Sequence, residues 1–352
     1  MVTMRAVSNA TAPNAARCAG PRTARRVALL PLVLATLMGS LGSMGAGVAQ
    51  AQGTYPTKPI RFMVGFPPGG SADVASRTIA QRLSERLGQP LVMDNRAGAG
   101  GMVGLEAIAK SAPDGYTIGI GTSGALTVNP TLRPKMPYDS LKDFAPVSTL
   151  VINPIALTIA PGQPPQNTRE FLAWAKSQPG KLSFGTAGTG IVMHLTGEVL
   201  NQMAGINIVH VPYKGSAPAA VDLMGGQIPL GVLDLAAGLT HIRSGKIRAL
   251  GMTTLNRSPV APEIPTLAES GVPGFDVKSW FGIVAPAGTP PEIINRLNAE
   301  IVAILNSQEG KDRLVAAGLE ALPSTPQAFM DTIRSEIPRW AGVIKAAGIK
   351  LE

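Results

Sequence analysis

The chain is poor in the residues on which covalent and metal chemistry depend. It contains one cysteine, Cys18, and three histidines, His194, His210 and His241. No His-x-x-x-His motif or acidic cluster accompanies the histidines, and no serine has the flanking glycines of a nucleophile elbow. A lone cysteine near the start of the chain also excludes an internal disulfide or a zinc–thiolate site. We therefore expect no catalytic residues, no metal site and no cofactor.

Charged and aromatic residues are also scarce, at 15% and 4% of the chain. The formal net charge of +9 falls to +4 when the five arginines of residues 1–51, a segment without acidic residues, are set aside. The rest has no basic run interleaved with aromatic side chains, so a nucleic-acid partner is not expected. The 40 glycines and 31 prolines indicate many tight turns instead.

The first 51 residues have the layout of a secretion signal. Arginines come first, an apolar run begins at Val27, and Ala49-Gln50-Ala51 provides a small-residue cleavage site. The most apolar part, residues 27–38, is shorter than the roughly 20 residues of a membrane span, which disfavours an uncleaved anchor. We expect export, with cleavage after Ala51.

Strand and helix patterns alternate along the remaining chain, which is typical of parallel α/β sheets. Strands are predicted at 60–66, 91–94 and 116–121, and helices at 72–87 and 102–110. Ala75, Ile79, Leu83 and Leu87 form an apolar stripe on the first helix.

The alternation continues between residues 168 and 253, and a long helix follows Pro290-Pro291. A chain of about 300 residues usually forms two domains. The extended segments at 147–159 and 277–285 read as two crossovers between them. We expect a discontinuous first domain, residues 52–153 and 279–352, and a second domain, residues 154–278.

Two loops repeat one layout, in which a strand breaks into a glycine-containing loop that opens a helix. The first runs from Phe66 to Asp73, and the second from Thr186 to Gly190, with His194 close behind. The first amides of a helix lack intrahelical partners and the helix dipole favours negative charge there. Gly69 and Gly70 also allow close approach to the backbone. Two such loops suggest two domains closing on one anionic ligand.

The chain also carries a series of motifs in a distinctive order. They are Tyr55-Pro-x-Lys-Pro59, Phe66-Pro-Pro-Gly-Gly70-x-x-Asp73, Asp94-Asn-Arg-x-Gly-Ala-Gly-Gly101, Pro113-Asp-Gly-Tyr116, Asn129-Pro130, Pro137-Tyr138-Asp139, His210-Val-Pro-Tyr-Lys-Gly215, Gly245-Lys-x-Arg-Ala-Leu250, Pro273-Gly-Phe275 and Ala285-Pro-Ala-Gly-Thr-Pro290. This series resembles the Bug family, the extracytoplasmic receptors of tripartite tricarboxylate transporters. The resemblance runs from about Tyr55 to Ile349 and is specific to the family, not to a ligand.

The resemblance implies a two-domain type II periplasmic-binding-protein fold in the α/β class. Each domain would be a mostly parallel sheet flanked by helices, with the ligand in the cleft and the crossover strands as the hinge. One ligand carboxylate would be gripped between the two loops, largely by backbone amides and water. The predicted ligand-binding residues of the loops are Phe66, Pro68, Gly69, Gly70, Ser71, Ala72, Asp73, Thr186, Ala187, Gly188, Thr189, Gly190 and His194. The distal, specificity-determining pocket would involve Ser123, Tyr213, Lys214 and Asp234.

Several of these residues have a structural interpretation beside the functional one. Asp73 would repel an anion, so it is better suited to supporting the helix or bracing the loop. His194 is either a ligand contact or a buried core histidine. Lys214 would contact a second carboxylate, or it is simply solvated. Asp234 would recognise an amino or hydroxyl group, or it caps the following helix.

The resulting hypothesis is a monomeric periplasmic receptor that captures a small carboxylate and presents it to the membrane permease subunits of a tripartite transporter. The alternative is a ligand-dependent partner of a sensor kinase, without transport. An enzyme that processes carboxylates is disfavoured because the chain lacks a nucleophile and metal ligands.

Overall fold

The computed structural model describes residues 55–349, so the predicted signal peptide and its cleavage after Ala51 lie outside the described residues. The strands within this range are β1 Ile60–Val64, β2 Leu91–Asn95, β3 Thr117–Thr122, β4 Phe144–Asn153, β5 Ile155–Ile159, β6 Leu182–Thr186, β7 Ile208–Pro212, β8 Leu230–Asp234, β9 Arg248–Met252, β10 Ser279–Pro286 and β11 Glu320–Ala321. The α-helices are α1 Ser71–Leu87, α2 Met102–Ala109, α3 Asn129–Leu132, α4 Thr168–Ser177, α5 Val192–Ala204, α6 Ser216–Met224, α7 Leu235–Arg243, α8 Leu267–Ser270, α9 Pro291–Asn306, α10 Gln308–Ala316 and α11 Pro326–Ala347. A 3₁₀ turn at Ala99–Gly101 and a π-helical turn at Gly124–Val128 complete them.

The strands form two sheets, each the centre of a lobe. The six-stranded sheet of the first lobe has the order β11-β4-β10-β3-β1-β2, and the five-stranded sheet of the second lobe has the order β7-β6-β8-β5-β9. The α/β class is confirmed. Both sheets are mixed, however, where mostly parallel sheets were expected: β10 runs antiparallel to β3 and β4, and β5 runs antiparallel to β8 and β9. The strands β10 and β5 each enter their sheet from the other lobe. They are therefore antiparallel to the strands of the βαβ units.

Two extended segments connect the lobes side by side. The predicted segment 147–159 is two strands, because Pro154 separates β4 in the first sheet from β5 in the second. Proline has no backbone N–H to donate, so a ladder ends readily there. The chain returns at Ser279, the first residue of β10, which pairs with Asn153, the last residue of β4. All strands of the second sheet fall between residues 155 and 252, and the domain boundaries themselves stay a prediction.

Each sheet is stabilised by its own apolar core. The predicted α1 stripe, Ala75, Ile79, Leu83 and Leu87, is buried in the core of the first lobe. Phe171 and Phe184 are fully buried in the second. Full burial of one such large apolar side chain contributes about 1.5–3 kcal/mol relative to exposure. The sheets are therefore rigid supports for the loops at their carboxyl ends.

The last helix, α11, belongs to both cores. Phe329 and Ile333, in its first half, pack with first-lobe residues. Trp340 and Ile344, in its second half, pack in the core of the second lobe. Pro338 lies between the two halves. Within residues 55–349, no helix combines the length and the apolarity that crossing a membrane requires.

Candidate ligand-binding site

Three helix N-termini converge on one cavity between the lobes. This cavity, here called the crossover cavity, has a volume of about 110 Å³. The start of α1 contributes Gly70, Ser71 and Ala72, the start of α5 contributes Ile191, Val192 and Met193, and the start of α6 contributes Gly215, Ser216, Ala217 and Pro218. Its remaining lining residues are Phe66, Pro67, Pro68, Thr122, Gly124, Asn153, Ala187, Lys214, Ser279 and Phe281.

The first amides of these helices have no partner inside their own helix. In α1 the first intrahelical bond is donated by the Val74 amide to the Gly70 carbonyl at 2.9 Å. In α5 the first such donors are His194 and Leu195, which both bond to the Ile191 carbonyl. The amides that precede them lie at the cavity end of each helix, where the dipole also favours negative charge. The cavity is therefore suited to an anion.

The other lining residues fit an anion with a small apolar body. None of them is an aspartate or glutamate, and Lys214 is the charged residue among them. Phe66, Phe281 and Met193 provide apolar walls. Because an acidic wall would repel an anion and a lysine attracts one, the electrostatics agree with the helix geometry.

The loop before α1 is braced by Asp73. Its Oδ2 accepts hydrogen bonds from the Gly69 amide at 3.0 Å and from Arg77 Nε at 2.8 Å, and its Oδ1 accepts from Asn95 Nδ2 at 3.0 Å. Burial alone would raise the pKa of Asp73, but these bonds outweigh it and hold the pKa below its usual value. Gly69 has φ +82°, a backbone conformation that favours glycine. Asp73 and Gly69 thus shape the loop without lining the cavity.

The second loop is braced by two stacked histidines. The His194 and His210 rings lie 4.0 Å apart, centroid to centroid. His210 Nε2 lies 2.7 Å from Thr186 Oγ1, and the Gly190 amide donates to His194 Nδ1 at 3.4 Å. Burial lowers the pKa of His194 to about 4; burial and the neighbouring imidazole lower that of His210 to about 3. His194 is buried, with its Nε2 3.8 Å from Glu198 Oε1, and in this structure it supports the loop; its role as a ligand contact stays a prediction.

Asp234 joins the two lobes behind the cavity. Its Oδ2 accepts from Ser216 Oγ at 2.5 Å and from Ser71 Oγ of the first lobe at 3.2 Å. Its Oδ1 accepts from the Ala237 amide at 2.9 Å and so caps α7. Burial raises the pKa of Asp234, and the bonds from Ser216, Ala237 and Ser71 oppose this. Its capping role is realised, and it reaches the cavity only through the two serines.

Asn153 forms part of the floor of the crossover cavity. It is fully buried, and neither its Oδ1 nor its Nδ2 has a hydrogen-bond partner. A buried polar group without a partner costs about 1–3 kcal/mol. Most buried side-chain polar groups in folded proteins have a partner, either a protein group or an ordered water.

A second, larger cavity adjoins the first. This cavity, here called the glycine-turn cavity, has a volume of about 510 Å³ and lies between residues 97–101 of the first lobe and residues 187–189 and 212–215 of the second. Arg133 and Lys214 are its cationic residues, and no acidic residue lines it. Phe66, Pro67 and Ala187 border both cavities. The two cavities therefore share part of their lining, including the cation Lys214.

The predicted site residues fall into three groups. Those that line the crossover cavity are Phe66, Pro68, Gly70, Ser71, Ala72, Ala187 and Lys214, and those added by the glycine-turn cavity are Gly188, Thr189 and Tyr213. Those that line neither are Gly69, Asp73, Ser123, Thr186, Gly190, His194 and Asp234.

Two members of the predicted distal pocket are held by other protein groups. The Tyr213 hydroxyl donates to Asp222 Oδ2 at 2.8 Å, and burial together with that carboxylate raises the pKa of Tyr213 to about 12. Ser123 Oγ accepts from the Trp280 amide at 3.3 Å.

Sequence reasoning named Lys214 but missed residues 215–218 at the start of α6, and it missed Asn153 and Ser279. Lys214 and Gly215 come between β7 and α6, which repeats the strand–loop–helix layout of the two recognised loops, so this signal was present. Asn153 and Ser279 carry no comparable signal, because only the pairing of the two crossovers brings them together.

Comparison with known proteins agrees with this geometry. The family described as "Tripartite tricarboxylate transporter family receptor" matches residues 75–349. The chain belongs to this receptor family. Protein BugT of Bordetella pertussis is 41% identical over 313 residues, which cover 89% of this chain and 96% of BugT. The resemblance to the Bug family is thereby confirmed, and the family consists of receptors, not enzymes.

Several solved structures are similar to this chain in sequence and fold. "R. palustris Rpa4515 with adipate" is 38% identical with a TM-score of 0.82, covering 84% of this chain and 99% of that one. MatC from Rhodopseudomonas palustris, with bound malate, is 32% identical with a TM-score of 0.77, covering 82% and 100%. A structure described as a periplasmic transporter is 39% identical with a TM-score of 0.81, covering 85% of this chain and 100% of that one. The receptor has the two-domain type II periplasmic-binding-protein fold.

Proposed function

We propose that this receptor captures a small carboxylate in the crossover cavity and delivers it to the membrane permease subunits of a tripartite transporter. The observation that carries the proposal is the convergence of α1, α5 and α6 on a cavity with no acidic lining residue. One carboxylate would accept hydrogen bonds from the amides at the starts of α1 and α5. These helices belong to different lobes, so binding would draw the lobes together.

Contacts between the lobes support closure around the ligand. Ser71 of the first lobe donates to Asp234 of the second, and Ser258 Oγ of the second lobe donates to Glu320 Oε1 of the first at 2.5 Å. A ligand that lies between the lobes adds to these contacts only when the lobes are together. Its binding energy therefore shifts the receptor toward the closed form.

Family membership and the ligands of relatives support the same function. The two Rhodopseudomonas palustris structures hold adipate and malate, both carboxylates. Receptors that deliver ligands to a permease work outside the cytoplasm, which agrees with the export signal predicted from residues 1–51. A monomer suffices, because each lobe supplies one side of the site.

Calorimetric titration of the mature protein tests the binding step. We expect saturable binding of one or more small carboxylates and no binding of their methyl esters, because esters remove the negative charge that the helix N-termini and Lys214 favour. Equal binding of acid and ester, or no binding by a folded sample, would contradict the proposal. Whole-cell uptake of the identified ligand, with and without the receptor, tests delivery. Unchanged uptake without the receptor would refute it.

A further inference from the structure

Asp234 carries a buried carboxyl group at the point where the two lobes meet. Its side chain is fully buried. The groups that donate to it are neutral: Ser216 Oγ and the Ala237 amide in its own lobe, and Ser71 Oγ in the first lobe. Burial of a charge without an ionic partner favours the protonated acid, and burial raises the pKa of Asp234. A negative charge placed nearby can therefore drive this carboxyl group into its protonated form.

Ser71 and Ser216 connect this carboxyl group to the crossover cavity. Each is the first residue of its helix, α1 or α6, and each lines the cavity. A serine hydroxyl has one hydrogen, and both serines donate theirs to Asp234 Oδ2. A carboxylate ligand at these helix N-termini only accepts hydrogen bonds, so it would compete with Asp234 for the same two hydrogens. The ligand would also bring a second negative charge to within one side chain of the first.

We propose that Asp234 takes up a proton from solvent when a carboxylate binds in the crossover cavity, so that capture and release of the ligand are coupled to pH. The proton bonds to a carboxyl oxygen of Asp234, which then donates to a serine oxygen and leaves the hydrogen of that serine free for the ligand. Release of the ligand returns the proton to solvent. Asp234 does not touch the ligand and acts through the two serines. This inference rests on the proposed function, because it concerns the same ligand.

Other titratable and charged groups lie on the elements around Asp234. The elements in contact with β8 or with the start of α7 carry Asp73 and Arg77 in the first turns of α1, His194 and Glu198 of α5, Lys214 and Asp222 at α6, His241 and Arg243 of α7, and Glu320, two residues beyond Gly318, which meets the start of α7. The strands β5 and β6, which flank β8 in the sheet, carry no titratable residue.

Most of these groups keep one charge state where the proposed uptake would occur. The ion pair with Arg77 helps to hold the pKa of Asp73 below its usual value, so Asp73 stays charged. A pKa of about 4 keeps His194 neutral. Burial raises the pKa of Glu198 and of Glu320, as it does for Asp234. These two glutamates line neither cavity and therefore serve as controls.

Calorimetric titration of the mature protein with succinate or adipate, in buffers of different ionisation enthalpy, counts the protons taken up with the ligand. Because binding should raise the pKa of Asp234 further, the unaltered protein should take up protons within the range of about pH 5 to 8. Affinity should be highest at the acidic end, where Asp234 is protonated before the ligand arrives. It should fall as the pH rises, by up to about tenfold per pH unit for one proton, and level off where Asp234 stays charged in both forms.

Asp234→Asn is the decisive variant. An asparagine keeps an amide oxygen as acceptor for the Ala237 amide, and its NH₂ group can donate to the two serines, as the protonated acid does. This variant should lose the proton uptake and bind at every pH about as tightly as the unaltered protein does at the acidic end. Protons exchanged by the ligand itself are the same for both proteins and cancel in the comparison.

Glu320→Gln is the matched control. Glu320 also bridges the lobes, by accepting from Ser258 Oγ, and burial also raises its pKa. Glu198→Gln is a second control, on the helix that opens at the ligand site. Both variants should keep the full proton uptake and pH dependence, which separates Asp234 from buried carboxyl groups in general.

The outcomes of this experiment are distinct from those of the proposed function. Absence of proton uptake by the unaltered protein, unchanged uptake in a folded Asp234→Asn variant, or loss of uptake in a control variant overturns the inference while carboxylate binding stands. Failure of all carboxylates to bind overturns the proposed function and the inference together. If Asp234→Asn does not fold, Ser216→Ala decides. It removes a hydroxyl that would accept from protonated Asp234 and donate to the ligand, so uptake should decrease, and unchanged uptake would contradict the coupling.

Discussion

Gly124 offers a direct test of whether the lobes of the ligand-bound receptor approach each other as closely as they do in this structure. It begins the π-helical turn after β3 in the first lobe and faces the start of α5 in the second. A Cβ added at Gly124 would lie 3.0 Å from Ile191 Cα and 3.4 Å from the Val192 amide nitrogen. Both contacts are with backbone, which cannot rotate away. The methyl group of Gly124→Ala would therefore hold the lobes apart by a few tenths of an ångström.

The expected cost follows from overpacking. Inserting one methyl group into a well-packed region costs about 1–3 kcal/mol. Since about 1.4 kcal/mol changes a dissociation constant tenfold, Gly124→Ala should weaken ligand binding by roughly 5- to 150-fold. Without ligand the lobes can relax apart, so the loss of stability should be smaller than the loss of binding energy. Titration calorimetry and thermal unfolding measure the two quantities.

Gly342→Ala is the control for this substitution. Gly342 lies within α11, and a Cβ added there meets no atom within 4 Å. This variant should bind as the unaltered protein does and gain slightly in stability, because alanine favours a helix over glycine. Wild-type affinity in Gly124→Ala would refute the reasoning, since it would show that Ile191 does not approach Gly124 in the bound form.

Two further predictions concern charge. Lys214→Gln should weaken carboxylate binding about tenfold and reduce its salt dependence, because Lys214 is the cation that borders both cavities. Calorimetry at two ionic strengths checks this, and Lys246→Gln is the distant control. The His194–His210 pair should make stability depend on pH. Burial lowers the pKa of His194 to about 4, and burial with the neighbouring imidazole lowers that of His210 to about 3. Both rings therefore stay neutral in the folded protein, whereas the same histidines take up protons in the unfolded chain below about pH 6.5. Stability should be fully present above pH 6.5 and fall as the pH is lowered towards 4. Thermal unfolding of His210→Gln should show a smaller fall over this range, and an unchanged pH profile would contradict the assignment.

The sequence predicted the elements whose signals are local. The helix α1 was predicted at 72–87, where the structure has Ser71–Leu87, because its apolar stripe is a local signal. The two loops that open α1 and α5 were likewise found from glycine and strand–helix order. Boundaries elsewhere shifted by a residue or two, as fraying ends commonly do.

The missed features depend on contacts between distant segments. α11 escaped notice because Pro338 interrupts its pattern and because its apolar residues serve two different cores. The mixed sheets and the cavity floor arise where crossover strands meet, and no local pattern encodes which strands become neighbours. Asn153 before Pro154 reads as a turn in sequence, and only the pairing with Ser279 shows that it lines a cavity.

The position of α11 has a consequence for how the receptor folds. Phe329 completes a core of the first lobe, while Trp340 and Ile344, near the end of the chain, complete that of the second. Neither lobe can therefore be excised as an independent folding unit without opening a core. Denaturant should unfold the protein in one cooperative transition. Deleting the segment from Trp340 onwards should destabilise the second lobe, although that segment contributes no strand to its sheet.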